Sequence, residues 1–339
     1  MDIRNQRAVH NSAAESLANA AGQPKQTVLV YAGIICLMAL LSAVISLILD
    51  NQIAETGGLS SMGLRSALST VQSVLPILQL VVTTCLGLGY HVAVLNISRG
   101  RASAPQTLLE GFRRFGPLLR ASLLQFAIYF AIAMVAMYLS IYIFLLLPVS
   151  DSFYEIMAPI LNSTSILETG IAMDDATLVS ATSALAPMMV IFLALFCLIF
   201  IPIYYQYRMV MFCVADEPRT GAMKALRDSR AMMRRNRFAL FKLDLSFWWY
   251  YLLQALITVV CYGDVLLPMV GVTLPWSGTV SYFVFYVLAL ALQIVVYYFF
   301  MNRVNVTYAT AYNALRPKPQ EPAKVTLGNI FDLAKDYHE

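Results

Sequence analysis

The order of apolar and polar positions divides this chain into six long oily runs separated by polar breaks. Residues 27–49 carry no charge and are closed by Asp50-Asn51-Gln52. The second run extends from about Leu68 to Leu95, the third covers about 118–147 and stops at Pro148, and the fourth runs from Leu185 to about Val214. The fifth starts near Phe238 and ends near Cys261, and the sixth covers about 279–302, with residues 303–315 continuing as helix. A hydrocarbon layer about 30 Å thick is crossed by about 20 helical residues. Each run is long enough, and the pattern predicts an all-α, polytopic membrane helix bundle with six transmembrane helices.

Two polar breaks have a helical pattern of their own and predict two cytoplasmic amphipathic elbow helices. In the first, residues 104–120, Leu108, Phe112 and Phe115 recur at helical spacing and share a face, while Glu110, Arg113 and Arg114 point elsewhere. In the second, residues 219–236, Ala222, Leu226, Ser229 and Met233 form an apolar stripe. Lys224, Arg227, Arg230 and Arg234 form a cationic stripe beside it, a geometry suited to a helix at headgroup level. Ser16 to Ala21 is expected to open a surface helix, and Pro202 to kink the fourth span near its basic end. The domain division is a 1–25 cytoplasmic N-terminal segment, a single six-helix domain over 26–315 and a 316–339 cytoplasmic tail.

Composition strengthens this picture. Of 339 residues, 59% are hydrophobic and 12% charged, with mean hydropathy +0.68, whereas soluble domains carry about 25% charged residues. The net charge of +4 matters less than its placement. Counted by segment, 22 of the 23 Lys and Arg residues fall before the first span, in the second and fourth loops or the span ends beside them (Arg120, Arg208 and Lys242), or after the sixth span. The third loop, about 149–184, holds five carboxylates and no cation. Cytoplasmic segments carry the excess of Lys and Arg. Six spans with both termini in the cytoplasm, in a cell inner membrane, is the topology that satisfies this bias.

The five cysteines are scattered through or beside apolar runs without a CxxC pair, and the three histidines are dispersed. The cysteines read as small buried hydrophobes rather than a disulfide framework or a metal site, and the histidines are too dispersed for a zinc site. No Ser-His-Asp set, HExxH or phosphate-loop sequence is present, so neither an enzymatic activity nor a cofactor is expected. The basic residues sit between spans with few free aromatic platforms, which argues against nucleic acid. The candidate lipid-headgroup contacts are Arg113, Arg114, Lys224, Arg227, Arg230, Arg234, Arg235 and Arg237, facing an anionic inner leaflet. The candidate intramembrane polar residues are His91, Gln125, Gln206, Asp244, Gln254 and Gln293. Asp244 reads either as a proton or cation relay or, the favoured expectation, as an interfacial carboxylate paired with Lys242, Arg237 or Arg208. His91 is expected to hydrogen-bond across helices, and the four glutamines to form a network or line a cavity. Two blocks, about 68–147 and about 185–260, repeat the order span, basic elbow, returning span. They read either as a parallel repeat or as two hairpins shaped alike by the positive-inside rule.

The run ALRDSRAMM followed by FALFKLDLSFWW resembles the bacterial integral-membrane family called domain of unknown function 975. The resemblance is carried by Ala225, Leu226, Ser229, Phe241, Leu243, Leu245, Ser246, Phe247 and Trp249. It is supported by Gly89, by Gly111 and Phe112 in LLEGFRRF, and by Tyr308-Ala309-Thr310-Ala311-Tyr312. More distantly the chain is similar to the membrane domain of some glycerophosphodiester phosphodiesterases, without room for their catalytic barrel. The resemblance implies fold and location and no established activity.

Two functions remain open at this level. One is a non-enzymatic scaffold or anchor whose basic elbows hold anionic lipid or a membrane protein partner. The other is a transporter or lipid-handling protein with a polar intramembrane cavity. A cavity lined by His91, Gln206, Gln254 or Asp244 favours the second, and a tightly packed bundle favours the first.

Overall fold

The computed structural model describes residues 3–20, 22–55, 62–147, 175–217, 221–269, 271–272 and 278–316. Helix α1 is Gln6–Ala18, α2 is Pro24–Glu55 and α3 is Met62–Ser98. A 3-10 turn, Pro105–Leu109, and the one-turn α4, Glu110–Arg113, lead into α5, Phe115–Leu145. Next come α6, Asp175–Tyr207, α7, Val210–Asp216, and α8, Ala222–Met233. After α9, Arg237–Ser246, α10, Trp248–Cys261, and α11, Gly263–Met269, the chain enters α12, Gly278–Val296. A π turn, Tyr297–Met301, joins α12 to α13, Asn302–Leu315. Among the described residues there is no strand, only an isolated bridge between Gly22 and Ser103.

Five stretches are long and apolar enough to cross a membrane: Pro24–Leu49, Ser66–Ser98, Phe115–Leu145, Leu185–Asp216 and Thr279–Leu315. Counted as one span, the bent pair α9 and α10 makes a sixth. Their outward faces stay uncovered: Leu80 is 66% exposed, Phe126 64% and Leu198 72%. Apolar surface on this scale needs a hydrocarbon solvent.

Burial is concentrated at one end of the bundle. Val306, Ala309 and Ala311 of α13 are fully buried, packed among α1 and the last turns of α3. Val9 of α1, Leu88 and Val94 of α3, Met209, and Ala225 and Met233 of α8 join the same core. An ionic knot fastens three helix ends there. Asp216 accepts two bonds from Arg99, at 2.6 and 3.0 Å, and is 2.7 Å from Arg316 and 3.1 Å from the Tyr312 hydroxyl.

Several elements differ from the sequence pattern for physical reasons. The N-terminal helix lies at Gln6–Ala18 rather than starting near Ser16, because Asn5 caps it and Val9 and Ala13 bury against the core. The fourth span passes through Pro202 as helix and is interrupted instead at Arg208 and Met209. The fifth span is not straight: α9 and α10 meet at 63°, with Phe247, 2% exposed, as the hinge. The first elbow is a 3-10 turn and a single helical turn. Leu108 is therefore buried at 2% while Phe112 and Phe115 stay exposed at 42% and 40%, so the three do not share a face. The apolar stripe of the second elbow, Leu226, Ser229 and Met233, faces α5, α6 and α7 rather than lipid. The acidic third loop as far as residue 174, and the tail from 317, lie outside the described residues.

Candidate functional site

The break between α6 and α7 leaves Arg208 at a helix end, facing residues of α9 and α10. Its guanidinium lies 4.7 Å from the centre of the Tyr308 ring and 5.1 Å from that of Tyr204, so aromatic faces hold the cation. One nitrogen reaches the Tyr204 hydroxyl. Another is 3.5 Å from an Asp244 oxygen and 3.5 Å from the Tyr251 hydroxyl. Both of those bonds are long, and a guanidinium has five N–H groups to place.

Asp244 is satisfied from elsewhere. The Tyr308 hydroxyl donates to one carboxylate oxygen at 2.5 Å and the Tyr205 hydroxyl to the other at 2.6 Å. The hydroxyls of Tyr251 and Tyr308 are 2.9 Å apart. The carboxylate thus has two short charge-assisted bonds, while the arginine beside it has only long ones outside Tyr204. Side-chain exposure is 17% for Arg208 and 12% for Asp244, so both charges are largely shielded from solvent.

Cavities lie on either side of Arg208. One, about 420 Å³, is lined by Tyr204, Tyr205 and Arg208 on one wall and by Phe241, Asp244, Leu245, Trp248 and Tyr251 on the other. Phe241, Leu245 and Trp248 are exposed, so this cleft opens toward the surroundings of the bundle. The second, about 260 Å³, reaches inward to His91, Gln125, Phe212 and Asn305. Arg208 and Tyr204 line both.

The structure therefore gathers Asp244, His91 and Gln125 around one arginine. Of the three cations expected near Asp244, the partner is Arg208. Arg237 donates to the Gln206 side chain at 3.2 Å, and Lys242 lies over the Phe238 ring. Gln206 also accepts the Ser229 hydroxyl on its carbonyl at 3.0 Å, so it fastens the elbow rather than lining either cavity. His91 does not make the expected hydrogen bond across helices: its buried Nδ1 has no partner among the described residues, and its ring packs 4.7 Å from Phe212. Gln125 donates to Tyr129 at 2.8 Å. Gln254 and Gln293 line neither of these cavities, and no hydrogen bond among the described residues joins one of the four glutamine side chains to another. Among the cationic candidates, Arg113, Arg227, Arg230, Arg234 and Arg235 are exposed. Lys224 is exposed and pairs with Glu217 at 3.3 Å. Arg114 turns inward, donating to the Ala215 carbonyl at 2.5 Å and to Glu110 at 2.7 Å. Tyr204, Tyr205 and Tyr251 were not singled out by sequence, and Tyr308 entered only through the resemblance, with no role at the site. The available signal was a lone arginine at a span end, next to a tyrosine pair and facing a second pair, Tyr250-Tyr251.

The hinge of this site is held by α1. The His10 Nε2 is 2.9 Å from the Ser246 hydroxyl, and its ring meets Phe247 edge-on at 5.0 Å. Phe247 in turn lies 6.2 Å from the Tyr308 ring. Burial, and then the Arg303 charge facing it, hold the His10 pKa below its ordinary 6.5. The native state thus disfavours the imidazolium, so the His10 contribution is whole above about 6.5 and is lost as pH falls below it. Amide exchange over residues 6–18, corrected for intrinsic rates, is expected to quicken between pH 7.5 and 5.5. His10→Gln, which keeps a polar partner for Ser246 but cannot titrate, is expected to remove that pH dependence.

A bundle of long, outwardly apolar helices packed around a shielded polar cluster is the design of a multi-pass membrane protein. The chain belongs to the family described as Protein of unknown function (DUF975), whose model matches residues 1–318. No curated protein and no solved structure matches it. Nothing in these comparisons supports the more distant likeness to the glycerophosphodiester phosphodiesterase membrane domain.

Proposed function

We propose that this is a lipid-handling protein of the bacterial cytoplasmic membrane, both termini inside, whose cleft takes the acidic head of an amphiphile on Arg208. The observation that carries the reading is the unequal satisfaction of the central pair. Asp244 is bonded by two tyrosines at 2.5 and 2.6 Å, while Arg208 keeps donors for another acceptor in the cavities it lines. The aromatic and apolar wall of Phe241, Leu245 and Trp248 gives an acyl chain a path from the surrounding lipid to that arginine. Residual polar groups facing a cavity, rather than a close-packed bundle, favour this over a pure scaffold. The exposed cations Arg113, Arg227, Arg230, Arg234 and Arg235 support placement of this face at an anionic inner leaflet, and they are what a scaffold or anchor would also use.

The test is photo-crosslinking with a phosphatidylglycerol that carries a diazirine in its acyl chain, followed by peptide mapping. Adducts are expected to concentrate on residues 241–251 and to fall at least several-fold in Arg208→Gln/Asp244→Asn, a neutral pair of similar shape. Uniform labelling of all outward helix faces, unchanged in that variant, would leave the cleft without a ligand role.

A further inference from the structure

A third cavity, also about 260 Å³, lies away from the Arg208 cleft, between the second elbow and α5. Its apolar part is Leu124 and Ile128 of α5, Tyr207 at the end of α6, and Met223 and Leu226 of α8. Its polar part is two arginines, Arg227 and Arg230, one helical turn apart. Both are exposed, and neither has an ion pair or side-chain hydrogen bond among the described residues. Like charges at this spacing repel. Arg230 gains something from the C-terminal end of α8, but Arg227 sits mid-helix and does not.

The vertical arrangement matters. Arg120 is followed in α5 only by uncharged residues to its end, so the hydrocarbon layer begins near it. Leu124 lies one turn beyond Arg120 and Ile128 two turns, about 12 Å at 1.5 Å per residue. The cavity therefore extends from headgroup level, where the guanidiniums stand, into the acyl region. Two adjacent guanidiniums match the oxygens of a phosphate, which one planar fork can hold bidentately.

We infer that the cavity between α5 and α8 is a phospholipid site, with the phosphate on Arg227 and Arg230 and the upper acyl chain against Leu124 and Ile128. It is occupied by an anionic phospholipid of the leaflet on that side. The seat explains why the elbow turns its apolar stripe into the protein while leaving two arginines unpaired. It requires nothing of the Arg208 cleft, and peptide mapping separates adducts at the two places.

The experiment uses the full chain in mild detergent and the same diazirine phosphatidylglycerol, titrated while adducts on residues 121–130 are counted. Arg227→Gln/Arg230→Gln is expected to raise the half-saturating concentration about 30-fold. That is the fold-change for two interfacial cations at about 1 kcal/mol each. Arg234→Gln/Arg235→Gln, which removes the same charge from exposed neighbours outside the cavity, is expected to change it less than about threefold. Inorganic phosphate at millimolar concentration is expected not to compete, because it lacks the acyl part. Equal losses in the two double variants would show a diffuse charged surface and overturn the site. Full competition by inorganic phosphate would overturn its assignment to a lipid.

Discussion

Gly111→Ala is expected to prevent this protein from accumulating in folded form. A Cβ at Gly111 would lie 1.8 Å from the Cys85 carbonyl oxygen and 2.7 Å from its carbon. One at Gly89 would lie 2.1 Å from the Leu108 carbonyl oxygen. These are backbone atoms of α3 and of the first elbow, and no side-chain rotation relieves them. The two glycines let the elbow lie directly on α3, which seats Leu108 in the core. Overpacking a fitted interface costs about 1–3 kcal/mol and occasionally more. With rigid backbone on both sides, each alanine is expected to cost more than about 3 kcal/mol. Size-exclusion recovery and melting in detergent measure this. Gly33→Ala, where nothing lies within 4 Å of the added methyl, is expected to stay within about 0.5 kcal/mol of wild type. Similar behaviour of the two variants would contradict the close approach.

Arg208→Leu is expected to be the most damaging change at the cleft. It leaves Asp244, 12% exposed in its side chain, without its cation. Removing one partner of a buried pair costs about 3–5 kcal/mol. The short bonds from Tyr205 and Tyr308 remain, which places the cost near the lower end, about 3 kcal/mol. Arg208→Leu/Asp244→Asn removes the orphaned charge and is expected to recover most of the loss, because neighbouring residues do not act additively. Arg208→Lys keeps the charge but not the planar fork that stacks between Tyr204 and Tyr308. Its stability is expected to lie between those of wild type and Arg208→Leu. If the double variant melts below Arg208→Leu, the pair is not the electrostatic unit described.

The spans were legible because length and hydropathy alone define them, and the runs at 27–49 and 118–147 fall within α2 and close to α5. The close approach of Gly111 to α3 was not legible, since its cause is a backbone contact 26 positions away at Cys85. The fold at Phe247 was equally hidden. Residues 238–261 read as one apolar run, and the bend depends on α1 and α13 packing around a single phenylalanine. At the site, Asp244 stood out as a carboxylate in an oily run, and Arg208 was among the cations expected to meet it. The tyrosines that bond it come from α6 and α13, and aromatic residues near span ends are too common for sequence to single out four of them. Arg114 and Arg237 looked like surface cations. They turn inward because unpaired acceptors, the Ala215 carbonyl and the Gln206 amide oxygen, lie within their reach.

In the proposed orientation the cationic elbows lie inside and the cation-poor loops outside. Single cysteines at Ser60, Thr177 and Arg235, in a background whose five native cysteines are replaced by alanine, report it directly through a membrane-impermeant thiol reagent applied to intact cells. The expected result is labelling at positions 60 and 177 from outside, and labelling at 235 only after the membrane is opened. Labelling of position 235 in intact cells, with 60 and 177 protected, would contradict the placement of the Arg208 cleft and of the Arg227–Arg230 site at the inner leaflet.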